Sequence, residues 1–169
     1  IVRSNAVQAL DDADSLLSEK GYRPEIVFFD LPGTLKSDGV IKTLSQMDYI
    51  FTPVSADRFV VESALQFVMM FNDNLVTTGL AKTKDISLFW TMVDGREKTG
   101  LYDLYGKLFA ENNFRVLDTR LPDSKRFRRE PSDDRKSVFR STILPPDASM
   151  LKGSRIRELS EEICSIING

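Results

Sequence analysis

The stretch Glu25-Ile-Val-Phe-Phe-Asp30, continued by Leu31-Pro32-Gly33-Thr34-Leu35, decides how this chain is read. Its apolar residues are β-branched or aromatic, and they are bounded by prolines at 24 and 32. That pattern predicts a short buried strand, Glu25 to Asp30, which ends on a carboxylate before the backbone turns through Pro and Gly. Working outward, similar β-rich runs occur at Tyr49 to Pro53, Ile86 to Val93 and Arg115 to Leu117. Helical spacing fills the intervals. Ala6, Leu10, Ala13 and Leu17 share one face of Asn5 to Lys20, and Gly21 is placed to stop it. Val40, Ile41, Leu44 and Met47 form a second face from Ser37 onward. Asp57 to Leu75 is a long apolar helix carrying Val61, Ala64, Leu65, Val68 and Phe71. Leu101, Leu104, Tyr105, Leu108 and Phe109 mark another helix, and Ile156, Leu159, Ile163 and Ile166 mark the last, which begins near Lys152. Short apolar strands alternating with helices predict an α/β fold: a mostly parallel sheet with helices on both faces, in one domain over residues 1–169. Open sheets of this kind bind ligands beyond the C-terminal ends of their strands. Here those ends are Asp30 to Gly33, Pro53 to Ser55, Met92 to Gly95 and Thr119 to Pro122.

Composition narrows the chemistry. Apolar residues make up 41% and charged residues 28%, as expected of a globular chain. The net charge of −2 selects no polyanionic partner, and the absence of histidine excludes Ser-His-Asp triads and His-ligated metals. The one cysteine, Cys164, lies in an apolar helical stretch, is expected to be a buried thiol, and permits no disulfide framework. The apolar stretches fall short of the roughly 18 residues that mark a membrane span, and the expected location is the cytoplasm. The chain starts at Ile1 without Met, which suggests a fragment or a processed product.

Two families use a strand that ends in a carboxylate followed by a Gly-containing turn. In P-loop NTPases, an Asp at the strand tip supports Mg²⁺ and the following Gly offers its N–H to the terminal phosphate. In haloacid-dehalogenase-type phosphatases the pattern is Asp-x-Asp-Gly-Thr, with the first Asp as nucleophile and the second as general acid–base. This chain has Pro32 where that second Asp belongs, and proline cannot move a proton. Asp133-Asp134 is a candidate for that family's later acidic pair, but it lies in a basic, loop-like stretch rather than at a strand tip. A tight strand-to-helix turn with an ordinary helix cap is the alternative to both.

The context favours the first. Met47-Asp-Tyr-Ile-Phe-Thr-Pro-Val-Ser-Ala-Asp-Arg-Phe59, Phe89-Trp-Thr-Met-Val-Asp-Gly-Arg96 and Val116-Leu-Asp-Thr-Arg-Leu-Pro-Asp-Ser-Lys-Arg-Phe-Arg128 follow Asp30-Leu-Pro-Gly33 in order, and a final helix closes the chain. This ordered set resembles the C-terminal portion of ParA/MinD-type partition ATPases over roughly residues 25–167, and within them it is most similar to the ParA-like TraA proteins of conjugative transposons. The resemblance implies that Asp30 supports Mg²⁺, that Gly33 faces the γ-phosphate of ATP, and that Pro122 walls the adenine pocket. Thr91 stands where the family usually has an Asn that reads the base. A hydroxyl can still hydrogen-bond there, and an ordinary strand residue is the other reading. The resemblance also implies a homodimer, non-specific DNA contact and a ParB/TraB-like partner for the intact parent.

The family's phosphate loop, Gly-x-x-x-x-Gly-Lys-Ser/Thr, is absent from the sequence; Gly79-Leu-Ala-Lys-Thr83 has the wrong spacing. Without that loop nothing cradles the phosphates, so this chain by itself is expected to be catalytically incomplete and to hold neither ATP nor Mg²⁺. The first third of a longer ATPase is then missing. In that case Ile26 to Asp30 and Tyr49 to Pro53 are expected to pair directly or to accept a strand from another chain. A non-catalytic interaction or dimerisation module of the same fold, or a degenerate phosphatase, is the alternative.

Two surfaces complete the reading. Residues 120–140 hold eight basic and four acidic side chains, and Lys125, Arg126, Arg128 and Arg129 form a candidate phosphate-backbone contact on DNA. The alternative is a solvated loop whose charges pair with Asp123, Glu130, Asp133 and Asp134. Met69, Met70 and Phe71 are read as core, with a partner surface as the alternative.

Overall fold

The computed structural model describes residues 3–33, 39–96, 100–124 and 148–169. The elements in chain order are α1 (Ala9–Lys20), α2 (Val40–Leu44), β1 (Tyr49–Val54), α3 (Arg58–Phe71), β2 (Asp85–Trp90), α4 (Leu101–Glu111), β3 (Arg115–Val116), α5 (Ala148–Leu151) and α6 (Ile156–Asn168). The fold is α/β, with a small three-stranded sheet in the order β1-β2-β3. β2 and β3 run parallel, with Ser87 opposite Arg115 and Leu88 opposite Val116. The chain groups into two compact units, residues 1–50 with 71–84, and residues 51–70 with 85–169.

The first unit is built from short helices and turns. α1 ends where expected: Gly21 takes φ +60°, and the Gly21 and Tyr22 amides close on Ser18 and Leu17 carbonyls, the usual device for a helix C-terminus. Gly39 carries φ +88° and sits against another backbone; a Cβ there would lie 2.6 Å from Val7 Cα and 2.9 Å from the Ala6 carbonyl carbon. The Thr43 hydroxyl, on α2, donates to the same Ala6 carbonyl at 2.8 Å. This backbone-to-backbone approach is open only to glycine. α2 spans five residues, shorter than the Ser37 to Met47 pattern suggests. After α3 the helix widens into a π segment, Asn72–Val76, where the Asn72 carbonyl accepts from the Thr77 amide.

The second unit holds a hydrophobic core. Val54, Val61, Ala64, Val68, Leu88, Trp90, Tyr102 and Phe109 form one buried cluster drawn from β1, α3, β2 and α4. Trp90 is its centre: Tyr102 meets it edge-on at 5.1 Å between ring centroids, and Phe109 lies at 5.7 Å. Such aromatic pairs add roughly 0.5–1.5 kcal/mol each beyond area burial. Asp57 caps α3, its Oδ1 accepting the Phe59 and Val60 amides at 2.9 and 3.1 Å.

Four expectations are corrected. Glu25 to Asp30 is not a strand: residues 22–33 carry neither helix nor strand, and Val27 and Phe28 are exposed. The direct pairing of that stretch with Tyr49 to Pro53 is not formed either, because β1's neighbour in the sheet is β2. The physical reason is that a four-residue apolar run between two prolines offers few ladder hydrogen bonds, and local propensity alone does not hold an extended chain. Cys164 is exposed rather than buried. It sits one residue past Ile163, about a quarter turn off the stripe through Ile156, Leu159, Ile163 and Ile166. In the 69–71 triplet, Phe71 is fully buried, Met70 is half-buried and Met69 is 44% exposed, so the core reading fails at Met69.

Candidate functional site

The C-terminal ends of β1, β2 and β3 meet within the second unit. The ladder does not stop at Trp90: the Thr91 amide donates to Val54 O at 2.8 Å, and the Leu121 amide donates to Trp90 O at 2.8 Å. Val93 and Pro122 then form an isolated parallel bridge, with Val93 N–H on Leu121 O and Asp123 N–H on Val93 O. Thr91 and Pro122, two of the residues singled out from the sequence, are thus brought onto adjacent strand ends. The Thr91 hydroxyl also donates to Val54 O, at 3.3 Å. Its proton is therefore committed to the sheet, which leaves its lone pairs as acceptors.

Around these two residues the backbone is specialised. Met92, just past β2, takes φ +53° and is 55% exposed. A non-glycine residue in that conformation is uncommon and concentrates at ligand-facing turns. Asp94-Gly95-Arg96 folds into a local turn: Arg96 donates its backbone N–H and its Nε–H to Asp94 Oδ1 at 3.0 and 3.1 Å, and Nη2 to Oδ2 at 3.1 Å. The Arg96 guanidinium and amide hold the Asp94 carboxyl below the usual carboxylate range. Arg120 lies over the Tyr102 ring, 5.4 Å from its centroid, so this basic side chain packs on the core's rim. Met92 and Arg120 fall within strand ends read from the sequence, but their particular roles were not, because neither a cation–π partner 18 residues away nor a positive φ at Met leaves a local signal.

Asp30 and Gly33 belong to the first unit. Asp30 is exposed, at the end of the irregular 22–33 segment, and a Cβ at Gly33 would meet no atom within 4 Å. Mg²⁺ takes one or two carboxylates together with substrate phosphates. Among the described residues no three acidic or thiol groups converge, and the sequence has no phosphate loop. Asp30 by itself does not make such a site. The nearby opening is apolar instead: Leu17, Tyr22, Pro24, Ile26 and Phe28 border a shallow groove of about 520 Å³. The basic residues Lys125, Arg126, Arg128 and Arg129, and the Asp133-Asp134 pair, lie outside the described residues. Among the described residues, no helix is long and apolar enough to cross a membrane.

Comparison with known proteins returned no match: no family model, curated protein or solved structure matches this chain at the significance required.

Proposed function

We propose that this chain is the base-side, C-terminal part of a ParA-like ATPase that acts in the partition or transfer of a mobile genetic element, with the phosphate-binding loop supplied by sequence outside these 169 residues. The observation that carries the reading is the meeting of Thr91 and Pro122 at the C-terminal ends of adjacent strands, where open α/β sheets take their ligands. The order of the four sequence motifs supports it. In this reading Pro122 walls the purine and Thr91 offers it an acceptor oxygen, while ATP and Mg²⁺ bind only once the loop is present. The intact parent is then a cytoplasmic homodimer that contacts DNA non-specifically and answers to a ParB/TraB-like partner.

The test is the gene sequence ahead of the codon for Ile1, together with ATP binding by the encoded protein. A Gly-x-x-x-x-Gly-Lys-Ser/Thr loop, with Mg-ATP bound by the longer protein and not by the 169-residue chain, is the expected result. Tight Mg-ATP binding by the short chain alone, or a gene without the loop, overturns it.

A second reading is favoured by one observation. Glu25 to Phe29 stands outside any ladder and presents Phe28 at 72% exposure beside the apolar groove. That fits a non-catalytic interaction module with the same α/β fold. A gene without the loop, combined with a partner that protects Val27 and Phe28 from solvent, selects this alternative.

A further inference from the structure

The segment that carries Pro122 does not run evenly along β2. Leu117 N–H bonds Leu88 O, and the next bond to β2 is Leu121 N–H on Trp90 O. β2 advances two residues between those carbonyls while the facing segment advances four. Two extra residues are therefore looped out between Leu117 and Leu121, as in a β-bulge. A bulge frees backbone amides, and a freed amide away from water needs an acceptor. Thr119 is 5% exposed, so its amide is such a case.

The acceptor comes from α6. Glu162 turns its carboxylate onto the bulge: Oε1 accepts the Asp118 N–H at 2.6 Å, and Oε2 accepts the Thr119 N–H at 2.9 Å. The Thr119 side chain also favours the charged form of this carboxylate. A carboxylate bridging two successive amides matches their spacing, and charged acceptors make the stronger hydrogen bonds. We infer that Glu162 is a positioning residue, whose carboxylate stands in for the β2 carbonyls missing at the bulge and so fixes where Leu121 and Pro122 meet the end of β2. The link to nucleotide rests on the proposed reading of Pro122; the link to the bulge does not.

The charges around this carboxylate are Arg155, just ahead of α6, Glu158 one turn earlier on the helix, and Asp118 at the bulge itself. Partial burial pushes the Glu162 carboxyl up, but the Thr119 hydroxyl, the two amides and Arg155 together outweigh it and leave it below its ordinary value. A carboxylate with a depressed folded-state pKa contributes fully above its unfolded-state pKa. Its contribution is lost as pH falls through the folded-state value. The clamp is therefore closed at neutral pH and opens only in acid.

Residue-resolved amide hydrogen exchange on the whole 169-residue chain tests this, with the Phe109 amide in α4 as the internal reference. Glu162→Gln keeps one acceptor oxygen and turns an NH₂ toward the other amide. It should lower protection at Asp118 and Thr119 by about ten- to a hundredfold at neutral pH, with a smaller loss at Leu121 and Asp123 and none at Phe109. In the unmodified chain the same amides should lose protection as pH falls below the ordinary carboxylate range, a dependence that Glu162→Gln abolishes. Unchanged protection at Asp118 and Thr119 in the variant overturns the assignment. If the variant unfolds throughout, the acid titration of the unmodified chain decides: loss confined to 118–123 sustains the clamp, and loss shared with Phe109 removes it. None of these readings uses nucleotide, so a failed ATP-binding test leaves them standing.

Discussion

β2 and the segment Glu25 to Phe29 are alike in composition and unlike in fate. β2 reads Asp-Ile-Ser-Leu-Phe-Trp, and the other reads Glu-Ile-Val-Phe-Phe, with at least as much intrinsic preference for extended backbone. In β2, Ser87, Leu88 and Trp90 are essentially fully buried, and β1 and β3 flank it on both sides. In the other segment Phe28 is 72% exposed and no ladder forms. The difference is one of partners. Backbone amides and carbonyls of an extended chain need strands beside them, and side chains need a packed face beneath them. β2 has both.

The largest expected effect breaks the buried side of this comparison. Phe109→Ala removes a fully buried ring packed on Trp90 and should cost about 3–5 kcal/mol. Chemical denaturation followed by Trp90 emission measures it directly, since Trp90 is the only tryptophan. A loss under about 1 kcal/mol would mean that the cluster is not the core it is taken to be. Next comes the first unit's own weak point. Gly39→Ala forces a side chain into a left-handed backbone and into the Val7 backbone. The left-handed conformation alone costs about 1–2 kcal/mol, and the close approach adds to it. A drop of about 2 kcal/mol or more in stability, followed by far-ultraviolet circular dichroism, is expected; a neutral Gly39→Ala would remove the close approach between residues 6–7 and 39. The smallest effect is the sharpest contrast with Phe109. Phe28→Ala deletes a ring of the same size and should shift stability by no more than about 0.5 kcal/mol. If the two phenylalanine truncations cost the same, Phe28 is packed in solution and the comparison fails.

Several elements were legible in advance because their signals are local. The spacing of Ala6, Leu10, Ala13 and Leu17 with Gly21 after them found α1 and its stop. Tyr49 to Pro53, Ile86 to Val93 and Arg115 to Leu117 found the three strands to within a few residues. Of the candidate site, the Asp94-Gly95-Arg96 turn and the placement of Thr91 and Pro122 at strand ends could be anticipated from the strand assignments. Four features could not. The bulge between Leu117 and Leu121 depends on a register that no single strand specifies. Glu162 reaches amides 43 and 44 residues away. Met92's positive φ follows from its neighbours rather than from its side chain. Cys164 lies at the edge of the helical stripe, where a one-residue step separates a covered face from an open one.

By itself, the sequence determined the alternation of helix and strand, the helix stops and the lack of any histidine-based or phosphate-loop chemistry, because those follow from residue type and periodicity along a few neighbouring positions. Tertiary structure decided which β-rich runs became strands, leaving Glu25 to Asp30 outside the sheet, and which carboxylate holds the end of β3's extension in place. The physical reason is the same in both cases: a strand and a bulge exist only when another segment satisfies their backbone hydrogen bonds, and the identity of that segment is fixed by the folded chain rather than by the residues that need it.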